Sequence, residues 1–385
     1  MLWREVANAE MKHIVMFGGG SGSRGITLAL CREQFDVTRV VPAWESGGSS
    51  KALRQALGIL AVGDIRQALM TLAHGEQKVS SVVRFFNARL SEAANPTDLR
   101  AEFDFYASGA HPLLASMAPD IHAAVLNYLR VFRSRIDDAF DFCRGSIGNF
   151  ALTGAYFAHD RNINTAVCAL RKLCAIRGHV WPSTTLNTVG LCAELRDGRW
   201  VHGQDQITAL NTECAQVGIK RVFLTPQNAG ECPAANPAVL DAVRTADAIV
   251  FGPGSFYTST VAHLCVSGIA QAIAATSPTV PKILIGNILE CPETTGQTLS
   301  GLAQALAPDG QPGLLTHVLA NQGGVPFERV VEGFRYLPLG DTVSSNRSTP
   351  HVIADDFEDP WSRGRHDAHK VVTSLGELLA QTTGP

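Results

Sequence analysis

The chain has 385 residues, 45% of them hydrophobic and 17% charged, so it can bury a full core without disulfide help and has room for one large α/β unit carrying an insertion. A formal net charge of −3 gives no electrostatic reason to expect nucleic acid or an anionic membrane as partner, and any anion must be held locally. No apolar run approaches the roughly 20 residues of a membrane helix, no leader opens the chain, and nine cysteines lie scattered without a C-x-x-C pair, which together read as a soluble cytoplasmic protein with reduced thiols.

Residues 1–10 read as an extension. Ile14 to Phe17 is a short apolar run ended by three glycines, and the amphipathic stretch Ile26 to Cys31 follows, in the order strand, loop, helix. Val37 to Ala43 is a second strand. A crossover helix brings such a strand back beside the first, so the fold class is α/β, with a Rossmann-like, doubly wound, mostly parallel sheet. After Gly63-Asp64 the spacing turns helical for about eighty residues, through Val82 to Leu90 and Ile121 to Val131, punctuated by Pro96 and Pro112. Residues from about 80 to 145 are expected as a helical insertion, with Ser91 to His111 as its interrupting or lid-like part.

Helices continue through Phe150 and over Ala166 to Ile176. From His179 the texture changes, and Thr188 to Glu194 and Arg199 to His202 alternate around Asp197-Gly198, a hairpin dipeptide that marks a small antiparallel element. The α/β rhythm resumes with a strand at Arg221 to Leu224, a helix at Pro237 to Thr245, a strand at Ala248 to Phe251, a helix after Tyr257 and a strand at Lys282 to Ile285. A polar, turn-rich loop is expected over about 340 to 365, then a helix from Val371 to Gln381, all within a single domain over 1–385.

Three glycine-rich loops follow predicted strands. Gly18, Gly19, Gly20, Ser21 and Gly22 begin the first, where Gly20-x-Gly22-x-x-Gly25 lies between a strand and a helix and lets backbone N–H groups approach an anion. The P-loop lysine is absent, which argues against a Walker-type ATPase. The second, Glu45, Ser46, Gly47, Gly48 and Ser49, belongs beside the first in a parallel sheet, and Glu45 suits a ribose hydroxyl, a metal ion or a plain helix cap. Asp64 and Arg66 then stand where the next helix starts, an N-cap position that also suits metal and phosphate. Gly252, Gly254, Ser255, Tyr257 and Thr258 form a third strand-to-helix loop, with Tyr257 available to stack on a ring or to pack. His366-x-x-His369 and Asp355-Asp356 read as solvated surface, and no G-x-S-x-G or H-E-x-x-H motif is present.

In this order the motifs resemble the superfamily of the 2-phospho-L-lactate transferase CofD and the YvcK-type proteins, from about Lys12 to Ile288 and again at Arg365-His366-Asp367. The matched pieces are the three glycine loops, Leu57-Gly58, Gly63-Asp64-Ile65-Arg66, Gly148-Asn149, Pro182-Ser183-Thr184, Gly268-Ile269 and Gly286-Asn287. The resemblance implies a Rossmann-like sheet whose strand ends hold a nucleotide-linked small molecule, of GDP type with Mg²⁺ in the transferases and of UDP type in the YvcK group. It implies ligand contacts at Asn149 and Asn287 and a catalytic, metal-binding role for Asp64. One departure stands out: Glu45-Ser46 replaces two aspartates of the YvcK-type pattern.

Three functions remain open at this level. The first is a transferase moving a phosphate-linked group from a nucleoside-diphosphate donor to an acceptor hydroxyl with Mg²⁺ bound by Asp64, without a covalent nucleophile. The second is a non-catalytic nucleotide-sugar-binding regulator of carbon metabolism or the cell envelope, favoured by the likeness to the YvcK group. The third, an NAD-dependent dehydrogenase, has only Glu45 at the second strand end in its favour. A homodimer is the expected assembly.

Overall fold

Four consecutive apolar residues with no polar face, Ile14 to Phe17, make a strand that must be covered on both sides, and the sheet is built outward from it. The computed structural model describes residues 11–78, 80–226, 232–307, 313–324, 335–340 and 350–382. That strand is β1 (His13–Phe17), and helix α1 (Arg24–Arg32) crosses over to β2 (Asp36–Val41), which pairs with β1 in parallel. Helices α2 (Gly48–Leu57) and α3 (Gly63–Gly75) follow, and β3 (His179–Pro182) joins the far side of β2 much later.

A separate antiparallel sheet comes next, formed by β4 (Val189–Leu195), β5 (Trp200–His202) and β6 (Ile219–Pro226) in the order β5-β4-β6. The chain then returns to the other side of β1 with β7 (Ala248–Phe251), β8 (Lys282–Ile285), β9 (His317–Asn321) and β10 (His351–Asp355). The main sheet therefore runs β10-β9-β8-β7-β1-β2-β3, with every pair parallel. Strand order reverses between β1 and β7, which opens a crevice at their carboxyl ends, the place where doubly wound sheets take ligands.

Several expectations are corrected. Part of the stretch expected as a loop near 340 to 365 is strand β10, and its half-exposed HVIAD sequence becomes a strand only through its ladder with β9; residues 341–349 lie outside the described residues. Arg221 to Leu224 does not resume the parallel sheet, because β6 pairs antiparallel with β4. Strand β3 belongs to the main sheet, whereas only an antiparallel element was expected after His179.

The expected insertion consists of helices Ser81–Asn87, Pro96–Ser108, Pro112–Ala115 and Pro119–Arg133. Asn95 caps the second by accepting from the Asp98 N–H, and prolines open the last three at positions where no intrahelical N–H is needed. Phe103, Phe132 and Phe142 close around Phe150 of helix Ile147–Ala158, with the Phe132 and Phe150 rings stacked at 4.8 Å. At Gly154 a methyl group would collide with the Tyr128 carbonyl, so the two long helices touch backbone to backbone. An aromatic core thus ties the insertion to helix Ile147–Ala158 as a wall. Helix Ala368–Thr382 packs on α1, and no helix among the described residues is long and apolar enough to cross a membrane.

Candidate functional site

The first glycine loop is shaped from beneath by a residue that its motif does not contain. Arg39 of β2 is fully buried and donates to Thr27 Oγ1 at 2.6 Å, to the Gly19 carbonyl at 2.8 Å and to the Gly18 carbonyl at 3.4 Å. A planar trans peptide carries its N–H opposite its C=O, so pinning these carbonyls turns the Gly19 and Gly20 N–H groups away from Arg39. The Gly20 N–H meets Asp64 Oδ1 at 3.0 Å. Burial draws the Arg39 guanidinium down to about 10, still charged at neutral pH, and the Asp64 charge opposes that shift. The only signal for Arg39 in the sequence is a charged residue inside the run DVTRVV.

The first and third loops touch. A Cβ on Gly22 would lie 2.6 Å from the Pro253 carbonyl oxygen and 2.7 Å from Gly254 Cα, and Ser23 Oγ donates to Pro253 O at 3.3 Å. Gly20 and Gly254 therefore border one crevice. On the third loop, however, much of the donor capacity is already used. Asn287 clamps Gly254 through both backbone groups, at 3.0 and 2.8 Å. Glu293, buried and unforeseen in the sequence, accepts from the Tyr257 N–H at 2.8 Å, the Thr258 N–H at 3.1 Å and the Thr258 hydroxyl at 2.8 Å. The helix start of this loop thus holds the protein's own carboxylate. Tyr257 is buried with its hydroxyl on Gln297, while Gly254 and Ser255 stay half-buried at the crevice.

The second loop is braced from two sides. Trp44 is buried and donates its Nε1–H to the Thr258 carbonyl at 2.9 Å, tying the second loop to the third. Ser46 exchanges hydrogen bonds with Asp205 of the antiparallel unit, at 2.9 and 3.0 Å. Ser49 Oγ accepts from Asn149 Nδ2 at 2.9 Å, and Asn149 Oδ1 accepts from Arg66 Nε at 3.2 Å, a relay that fixes Arg66. Gly47 and Gly48 start α2 at the mouth, and Ser21 and Gly22 are exposed at the lip.

Between these loops two carboxylates converge. Glu45 Oε1 accepts from the Gly47 N–H at 3.0 Å, but Oε2 is buried without a partner, as is the neighbouring Ser50 hydroxyl. A Cβ on Gly63 would lie 2.6 Å from Glu45 Oε2, and one on Gly20 would lie 2.6 Å from Asp64 Oδ1, so glycines make the room that both acids occupy. Burial, followed by the charge of Asp64, pushes the Glu45 carboxyl up to about 7 against the pull of the Gly47 N–H, Arg54 and the nearby Ser50 hydroxyl, which lies close to Glu45 without the geometry of a hydrogen bond. Asp64 is also raised by burial, with the Gly20 N–H, Arg39 and Arg66 pulling the other way.

An oxygen-only set with orphaned buried acceptors suits a hard divalent cation. Among the described residues no group of three or more His, Cys, Asp or Glu side chains could form a complete cage, so such an ion would draw its remaining ligands from a diphosphate and water. His366 lies outside the helix that begins at Ala368 and bonds the Gly286 carbonyl at 2.9 Å, while His369 is exposed and Asp356 pairs with Lys370 at 2.8 Å.

The sequence signature of the 2-phospho-L-lactate transferase CofD family matches residues 14–335. A Bacillus subtilis protein named gluconeogenesis factor is 28% identical over 379 residues, covering 96% of this chain and 98% of the relative. A Nostoc sp. strain PCC 7120 protein, named provisionally in the same way, is 32% identical over 311 residues, which span 80% of this chain and only 55% of that longer relative. The crystal structure of a UPF0052 family protein from Bacillus halodurans superposes with a TM-score of 0.68 at 25% identity, covering 94% of this chain and 99% of that one.

Proposed function

The chain belongs to the 2-phospho-L-lactate transferase CofD family, and from that premise we propose that it takes a nucleoside-diphosphate-linked small molecule in the crevice between β1 and β7 and transfers its phosphate-linked group to an acceptor hydroxyl. The observation that carries this reading is the meeting of the Gly20 and Gly254 loops directly over the paired carboxylates Glu45 and Asp64. The N–H groups of Gly19, Ser21 and Gly22 on the first loop and the half-buried edge at Ser255 receive the diphosphate, the Gly20 N–H being held by Asp64 and the Gly254 backbone by Asn287. Two carboxylates alone would repel it. Glu45 and Asp64 would hold Mg²⁺, which would supply charge neutralisation at the diphosphate.

Arg39 keeps the Gly19 N–H turned toward the ligand and the Gly20 N–H on Asp64, and Asn287 and Glu293 hold the opposite loop in place. The acceptor oxygen forms a bond to the distal phosphorus while the bridging P–O bond breaks, releasing nucleoside monophosphate. The hydroxyl proton passes to a carboxylate oxygen of the Glu45/Asp64 pair. Positioning and electrostatics supply the catalysis, with no covalent intermediate.

The Bacillus subtilis relative is named a gluconeogenesis factor, a name without a reaction, and the second reading is that the same crevice binds a nucleotide sugar and signals without turnover. Calorimetric titration with UDP- and GDP-linked ligands, with and without Mg²⁺, together with mass-spectrometric detection of nucleoside monophosphate, separates the two. Asp64→Asn keeps an acceptor for the Gly20 N–H but loses the charge, so the Mg²⁺-dependent gain in affinity should fall at least about tenfold and product should vanish. Unaltered Mg²⁺ dependence in this variant rejects the metal role of Asp64; tight binding that never yields product leaves the regulator.

A further inference from the structure

Next to the crevice, α3 and the helical insertion enclose a second cavity of about 170 Å³ whose lining carries four basic side chains, Arg24, Arg66, Arg89 and His74, and no carboxylate. Gln67 adjoins both spaces: a Cβ on Gly20 would lie 2.9 Å from its Cγ and 3.0 Å from its Cβ, and it also lines the cavity. We propose that this cavity is a distinct anion site for a phosphate-sized group, with Arg24, Arg66 and Arg89 as its cationic donors and Gln67 and Asn87 as neutral ones.

Arg133 and Arg199 meet carboxylates at 3.1 and 2.7 Å, whereas Arg24, Arg66 and Arg89 form no ion pair among the described residues. Asp64 and Glu45 act on Arg66 from the crevice side, but the lining itself offers the three guanidinium groups no carboxylate, and an oxyanion bound between them reduces their mutual repulsion and accepts from planar forks suited to it.

Arg66 is only 5% exposed and is fixed through its Nε by Asn149, which leaves its two terminal nitrogens free of that bond. Arg89 is set by backbone hydrogen bonds that join its segment to the start of helix Ile147–Ala158, from Leu90 N–H to Gly145 O at 2.9 Å and from Ile147 N–H to Ala88 O at 3.0 Å. At Gly148 a methyl group would strike the Phe86 carbonyl and lie 3.1 Å from Arg66 Cδ, so glycine there is what lets the insertion and the Arg66 stem share one wall. The insertion thereby acquires a role, as the carrier of Arg89 and Asn87.

Size limits the ligand. At about 170 Å³ the cavity falls below the usual 300–1,000 Å³ of pockets that enclose whole drug-sized molecules. It suits inorganic phosphate or the phosphoryl end of a small phosphomonoester. This site does not depend on turnover in the crevice.

The test uses the full chain and two probes, inorganic phosphate and glycerol 3-phosphate, titrated by calorimetry into the free protein and into protein saturated with a nucleoside diphosphate. Arg89→Gln and Arg24→Gln alter exposed side chains, and thermal unfolding checks that both variants remain folded. Expected are phosphate binding that persists in the nucleotide-loaded protein, a loss of at least tenfold in each variant, partial recovery in Arg89→Lys, and nucleotide affinity within twofold of the wild type. Tighter binding of glycerol 3-phosphate than of phosphate identifies an ester as the source of the anion, and the reverse identifies the free ion. Equal phosphate affinity in wild type and variants, or displacement of phosphate by the nucleotide, overturns the proposal. If no nucleotide binds at all, the crevice reading fails, and the comparison of wild type with the variants in the free protein still decides this one.

Discussion

Replacing Glu45 by glutamine isolates the electrostatics of the crevice, because the amide keeps the shape of the side chain and can still accept from the Gly47 N–H while the negative charge is gone. In the folded protein burial and the Asp64 charge raise the Glu45 carboxyl from 4.5 to about 7. Between these values the folded state binds more protons than the unfolded chain, so its stability falls as pH climbs through that window and stays lower above it. A tenfold change in proton affinity corresponds to about 1.4 kcal/mol, which sets a ceiling of roughly 3 kcal/mol. Glu45 is not wholly enclosed and titrates together with Asp64, so a net effect of about 1–2 kcal/mol is expected.

Urea unfolding in EDTA should therefore find Glu45→Gln more stable than the wild type by that amount at pH 8 and nearly equal to it at pH 4.5. With Mg²⁺ present the order should reverse, because an ion that binds only the folded wild type stabilises it alone. A variant no more stable than the wild type at pH 8 in EDTA, with the same slope against pH, would refute the claim that an uncompensated carboxylate sits beneath the loops.

Two further substitutions test the frame around that charge. Arg39→Met removes the donor from the Gly18 and Gly19 carbonyls and the Thr27 hydroxyl; at about 1–3 kcal/mol for each buried group left unsatisfied, partly offset by the lost burial of a charge, a net loss of about 2–4 kcal/mol is expected by thermal or urea unfolding. Wild-type stability in that variant would remove Arg39 as the brace. Gly22→Ala drives a methyl group against the Pro253 carbonyl and should destabilise by about 1–3 kcal/mol while weakening nucleotide binding disproportionately, since it parts the first loop from the third. Unchanged nucleotide affinity would show that their contact does not shape the ligand site.

Placing the candidate residues in three dimensions divides them by task. Gly19, Gly20, Ser21, Gly22, Gly47, Gly48, Gly254 and Ser255 border the crevice, and Glu45 and Asp64 lie under it. Ser46, Ser49, Asn149, Tyr257, Thr258 and Asn287 spend their polar groups on other parts of the protein, holding the loops in register. Both groups follow from motif spacing, because spacing reports where a loop turns; it does not report which groups other segments will satisfy. Arg39 and Glu293 escaped notice for the same reason, since each acts on a loop from another element, Glu293 on an amide 36 residues away in the chain.

Local chemistry alone determined that the chain is α/β, that β1, β7 and β8 are buried strands, and that glycine-rich turns follow β1, β2 and β7, because uninterrupted apolar runs and clustered glycines restrict the backbone wherever they occur. Tertiary structure alone decided that β10 is a strand, that β6 leaves the parallel sheet, and that Glu45 meets Asp64 beneath the Gly20 loop. A half-exposed strand declares itself only through its neighbour. The charge at a buried site likewise depends on distances between residues far apart in sequence, which are set only when the sheet has closed around them.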